Sequence, residues 1–160
     1  MISLKNILWI AVCAALVLSV ALFVSSPRTL TKDRPLQMTL QPTRTISLAG
    51  TSVHVAIADT ESSREQGLGG ITSLAGDQGM LFVFEKDGMY SFWMKDMLFS
   101  IDMLWISSDG RVVYIVPSAS PATYPHAFTP HTLAKYVLEV PAGFATQHKI
   151  GVGSKLHFSP

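Results

Sequence analysis

Arg64, Trp93, Lys95 and Asp102 have side chains suited to holding a ligand. Arginine carries five N–H donors in a planar fork that fits a carboxylate or phosphate. Lysine adds a compact charge, and tryptophan supplies a flat apolar wall. Together with the Asp102 carboxylate they describe a cleft for an anionic or polar ligand. Each also has a structural alternative: Arg64 could pair with Asp59 or Asp102, and Trp93 could belong to a core. A carboxylate pair of Asp102 and Glu139 would suit a glycan hydrolase.

Other chemistries find little support. His54, His126, His131, His148 and His157 include no pair at helical i, i+4 spacing, whereas zinc needs three or four convergent ligands. No metal site is expected. The single cysteine, Cys13, lies in the N-terminal apolar run, and no Gly-x-Ser-x-Gly is present. Gly67-Leu68-Gly69-Gly70 follows a helix instead of opening one, which is the wrong order for a phosphate loop. No catalytic residue and no cofactor are assigned.

The elements that must position these residues are mostly short strands. Thr45–Leu48 and Val53–Ala58 alternate around Ala49-Gly50 and read as a hairpin. Asp59 or Thr60 can cap a helix over Glu61–Gln66, with Ser62 and Glu65 spaced as a capping box and Gly67 as the stop. Gly79–Phe84 reads as a buried strand, Asp87-Gly88 as a turn, and Tyr90–Met94 as an aromatic strand that puts Trp93 and Lys95 two residues apart. Ile101–Ile106 and Arg111–Val116 flank the loop Ser107-Ser108-Asp109-Gly110. Pro117–Pro130 reads as a loop, Tyr136–Val140 as a strand, and Lys155–Phe158 as the last strand. Many short strands at close spacing predict an all-β sandwich or barrel with one or two short helices.

The chain is 48% hydrophobic and only 14% charged, and Ile7–Val24 accounts for much of that imbalance. This run has no charged residue, and at helical rise it reaches roughly 27 Å, close to the thickness of a bilayer core. It predicts a signal anchor or signal peptide over residues 1–26, a linker over 27–44 containing Pro27, Pro35 and Pro42, and a β domain over 45–160. The run is longer than a usual signal core, which favours an uncleaved anchor. Residues 1–44 carry net +4, with five Lys/Arg against Asp33. Residues 45–160 carry net −3, with seven Lys/Arg against ten Asp/Glu. An acidic domain argues against a nucleic-acid partner. A basic start and an early apolar run predict a membrane-anchored domain outside the cytoplasm, or a secreted one if the segment is cleaved.

Several stretches together resemble the DUF192 family of bacterial and archaeal domains of unknown function. They are Ala58-Asp59-Thr60, Arg64 with Gly67-Leu68, Gly79-Met80-Leu81-Phe82-Val83-Phe84, Phe92-Trp93-Met94-Lys95, Ile101-Asp102 and Tyr136-Val137-Leu138-Glu139. The resemblance spans about residues 46–158. It implies a jelly-roll-like β-sandwich with short helices, and it implies no activity. Gly69-Gly70 replaces the family's usual Met-x-Arg, Asp96 its Asn, Ser100 its Pro, and Ser154 part of a Gly-Asp turn. Cysteines common in the loop matching Pro117–Pro130 are absent here. The reading that follows is a non-enzymatic envelope binding module for an anionic or polar ligand. The alternative is an envelope hydrolase acting on a polar polymer such as a glycan.

Overall fold

In the first hairpin, apolar residues alternate with small and polar ones, and the two strands fold back on each other. Strand β1 (Arg44–Leu48) pairs antiparallel with β2 (Thr51–Ala58), in register from Arg44↔Val55 to Leu48↔Thr51. The two-residue turn holds Ala49 at φ 50° and Gly50 at φ 82°, the double positive φ that matches strand twist. A computed structural model describes residues 39–158 of the chain. The apolar run Ile7–Val24 lies outside them. Among the described residues no helix is long and apolar enough to cross a membrane.

Helix α1 (Glu61–Gln66) occupies the expected residues, but its cap differs. Thr60 caps it, and Ser63, not the expected Ser62–Glu65 pair, completes the box: Ser63 N–H donates to Thr60 Oγ1 at 3.1 Å and Thr60 N–H to Ser63 Oγ at 3.0 Å. Gly67 ends the helix at φ 50°. Strand β3 (Gln78–Gly88) runs through the expected turn at Asp87-Gly88. The expected strand Tyr90–Met94 shrinks to β4 (Phe92–Trp93). Then come β5 (Ile101–Ile106), β6 (Val112–Ala119), β7 (Ala127–Phe128), β8 (Ala134–Pro141), helix α2 (Phe144–Gln147) and β9 (Leu156–Phe158).

In place of the two facing sheets of a jelly-roll sandwich there is one seven-stranded sheet, ordered β6-β5-β8-β3-β2-β1-β9, with β4 and β7 forming a separate pair. The large sheet curls until its edges meet. Arg111 bridges Lys155, Val112 N–H donates to Ser154 O at 2.9 Å, and Leu156 N–H donates to Gly110 O at 2.8 Å. Closure removes the exposed edges that a flat sheet would leave. The strand pattern allows sandwich or barrel, and the curled sheet is nearer the second; what decides between them is non-local: β8 inserts between β5 and β3, and β9 returns to β1.

Both faces of the central strands are buried. One face, with Val53, Val55, Leu81, Leu104, Leu138 and Val140, fills the inside of the curl with Phe144 and Ile150. The other, with Met80, Phe82, Met103, Trp105 and Val137, is covered by Leu68, Ile71, Met94 and Met97 from the connections. Leu40, within the stretch read as linker, is buried in this outer layer. All six residues of β5 are buried, as a strand covered on both sides requires.

At Gly79 the backbones of β3 and β8 leave no room for a side chain. A Cβ there would lie 2.6 Å from Glu139 O and 3.0 Å from Val140 Cγ1. Gly79→Ala is therefore expected to cost about 1–3 kcal/mol through overpacking, measured by urea unfolding. A variant as stable as the parent would contradict this close approach.

Candidate functional site

The cover over the outer face is incomplete, and the gap in it is a cleft of about 900 Å³. One wall is α1 and the turn after it. Gly70 N–H donates to Asp96 O at 3.0 Å, tying this wall to the opposite one. The second wall is Tyr90–Met97. It is pinned from below by Trp105, whose indole N–H donates to Tyr90 O at 2.8 Å. Phe92 packs edge-on against Phe82 at 4.8 Å and Trp105 at 5.8 Å, while Tyr90 stacks on Phe84. These aromatic contacts fix the wall that carries Trp93 and Lys95.

Arg64, Trp93 and Lys95 all line this cleft. Arg64 pairs with neither Asp59 nor Asp102 through a carboxylate. Its Nη1 donates to two backbone carbonyls, Asp59 O at 2.6 Å and Val83 O at 3.0 Å, and its guanidinium lies 5.3 Å from the Phe84 ring centroid. The Nε and Nη2 donors have no partner among the described residues, so part of the fork stays available. Trp93 is not core: it is 55% exposed and meets Tyr124 edge-on at 6.1 Å. Lys95 sits in the turn after β4, not on the strand, and has no carboxylate within ion-pair distance among the described residues. The rim is mixed in charge, because Glu61, Glu65 and Asp96 line the same cleft.

Asp102 is not part of the cleft. Its side chain lies on the opposite face of the sheet, fully buried, and accepts three backbone hydrogen bonds. Oδ1 accepts from Ser118 N–H at 2.8 Å and Gly143 N–H at 3.0 Å, and Oδ2 accepts from Ala145 N–H at 2.8 Å. The carboxylate thus secures Ser118 of β6 and the start of α2. The carboxylate pair with Glu139 is excluded by register. Asp102 stands opposite Val140 and Met103 opposite Glu139, so the two acids point to opposite faces.

Glu139 belongs to the cleft, and its place there is unusual. It is 4% exposed, lies among Met80, Phe82 and Met103 on the outer face, and lines the cleft floor. Its Oε2 is buried without a hydrogen-bond partner among the described residues. Burial pushes its carboxyl from the ordinary 4.5 up to about 8, so it holds its proton at neutral pH. An acid inside the apolar string Val137-Leu138-Glu139-Val140 is the sequence signal for it, but alternation alone gives no depth. Among the described residues no group of three His, Cys, Asp or Glu could hold a metal ion.

The raised value of Glu139 makes stability depend on pH. The folded state binds this proton more tightly than the unfolded chain does. Stability is therefore undiminished below about 4.5, falls as pH rises from there to about 8, and levels off above. Glu139→Gln, uncharged throughout, is expected to match the parent's trend at pH 4 and to gain several kcal/mol on it by pH 9. Thermal melts across that range test this. An offset constant with pH would contradict the buried neutral acid.

A crystal structure at 1.55 Å of a "putative transcription regulator" from Sinorhizobium meliloti 1021 is similar, with 30% identity and a TM-score of 0.69 over 76% of this chain and 98% of that one. A 1.22 Å structure of a protein of unknown function from Novosphingobium aromaticivorans DSM 12444 shares the fold, with 23% identity and a TM-score of 0.68 over 74% and 94%. Among the curated proteins none matches. Residues 44–158 match the model of DUF192, described as "Uncharacterized ACR". The chain belongs to the DUF192 family.

Proposed function

We propose that the domain is a non-enzymatic binding module of the cell envelope, and that its cleft takes a polar, anion-bearing ring such as an acidic sugar unit of a glycan. The observation that carries this reading is that Arg64, Trp93 and Lys95 line one cleft. A sugar ring has an apolar C–H face, which suits the exposed Trp93 wall. Its hydroxyls both donate and accept, which suits a rim mixing Arg64 and Lys95 with Glu61, Glu65 and Asp96. An acidic substituent would take the free donors of Arg64 and the Lys95 ammonium. The domain's net charge of −3 supports no role on nucleic acid, so the regulatory name of the Sinorhizobium protein is not carried over.

A hydrolase is the second reading, and Glu139 favours it, since an acid protonated at neutral pH suits general-acid work. Binding is preferred because the carboxylate expected to act with Glu139, Asp102, lies across the sheet. Calorimetry and thermal shift of the full chain against D-glucuronate, N-acetylmuramate, D-glucose and sulfate test the reading. Glucuronate or N-acetylmuramate is expected to raise the melting temperature. Lys95→Ala is expected to stay folded and to lose about tenfold in affinity, the loss of one charge-assisted contact. No shift with any probe, or the same affinity in Lys95→Ala, would contradict it. Release of free sugar from a glycan during incubation would favour the hydrolase.

The location is part of the same proposal: residues 7–24 anchor the chain in a membrane or export it, with the domain outside the cytoplasm. A C-terminal alkaline phosphatase fusion, active only after export, is expected to be active. An inactive fusion alongside an active cytoplasmic reporter at the same site would reverse the orientation. Arg28, Lys32 and Arg34 would then be the positive-inside signal.

A further inference from the structure

We propose that Glu139 is the ligand-reading group at the floor of the cleft: as a neutral acid it donates its O–H to an acceptor oxygen of the bound anion, so that binding is coupled to its proton. The proposal rests on the cleft reading above and assigns the residue that sets its selectivity. Three observations on geometry carry it. Glu139 lines the cleft, it is almost wholly buried, and Oε2 has no hydrogen-bond partner among the described residues. A buried carboxyl left unpaired costs free energy in the empty protein, so a ligand that pairs it, once a turn of the terminal torsion brings the O–H to the cleft, gains that cost back.

The surroundings give the acid no alternative partner. Its neighbours in register, Met80 on β3 and Met103 on β5, are apolar. The titratable groups facing the cleft from α1 are Glu61, Arg64 and Glu65, and those from the opposite wall are Tyr90, Lys95 and Asp96. None of them hydrogen-bonds Glu139 among the described residues. The neutral form can donate to a carboxylate oxygen; the ionised form can only accept, and it repels an anion. The raised value near 8 places the exchange between the two forms just above neutrality. A neutral sugar, whose hydroxyls can donate to an ionised Glu139, should not follow that exchange.

The test is calorimetric titration of the full chain with D-glucuronate, and with D-glucose as the neutral probe, at pH 6, 7, 8 and 9. Glucuronate affinity is expected to be flat from pH 6 to 7 and about tenfold weaker at pH 9, since the protonated fraction falls about tenfold per unit above about 8. Glu139→Gln keeps an N–H donor and loses the proton. It is expected to bind glucuronate at every pH without that decline. Glu139→Leu, which suits an apolar site and should remain folded, is expected to lose at least tenfold at pH 6. Binding by the parent that is flat to pH 9, a decline that persists in Glu139→Gln, or full affinity in Glu139→Leu overturns this proposal while leaving the cleft reading standing. No binding of either sugar at pH 6 overturns the cleft reading and this proposal together.

Discussion

The burial of both faces of β3, β5 and β8 is the constraint from which the rest of the molecule follows. A strand such as Ile101–Ile106, with no exposed residue, has to be covered twice. The sheet meets one half of that demand by curling on itself, so that Val53, Leu81, Leu104, Leu138 and Val140 meet inside. The other half falls to the connections. Leu68, Ile71, Met94 and Met97 are brought over Met80, Phe82, Met103 and Trp105. A connection used as cover has its own backbone groups to satisfy, which is why single bonds such as Trp105 Nε1 to Tyr90 O and Gly70 N to Asp96 O recur there.

The cleft is what remains where this cover is incomplete. Two kinds of acid mark the two faces of the sheet. On the inner face Asp102 is fully satisfied by three backbone N–H groups and acts as a clasp for the end of the curl. On the outer face Glu139 is nearly as buried but has no hydrogen-bond partner for Oε2 among the described residues, with its proton retained. The first arrangement stabilises the fold. The second destabilises it at neutral and higher pH, and such local cost is concentrated at sites that bind or react. The contrast separates a carboxylate that ties the fold together from an acid left unpaired at the cleft, although both lie in strands of the same sheet.

Much of the fold was legible in the sequence because local rules decide it. Alternation located β1 and β2, Ala49-Gly50 their turn, and Gly67 the end of α1. The Ser62–Glu65 box does not form because the helix starts at Glu61, so Thr60 is the cap and the residue three positions on is Ser63. Tyr90–Met94 has a strand's composition, but most of it serves as cover, so just Phe92–Trp93 pairs. Sheet closure was hidden because it depends on β9 meeting β1 and the start of β6, contacts between distant parts of the chain. At the site, the local residue types of Arg64, Trp93 and Lys95 pointed to one place. Asp102 and Glu139 could be told apart only by their register with neighbouring strands, which sets the face, and by the cover, which sets the depth.

The chemistry of the cleft turns on the state of Glu139 in the ligand-free protein. The chain has four glutamates, Glu61, Glu65, Glu85 and Glu139. Carboxyl-carbon NMR of protein labelled at the glutamate δ-carbon, with Glu139→Gln to identify the resonance, reads that state directly. The Glu139 signal is expected to titrate with a midpoint near 8, as an acid held in an apolar floor without a partner. A midpoint near the ordinary 4.5 would mean that the side chain is solvated or paired in solution, and the cleft would then lack the neutral donor on which this account rests.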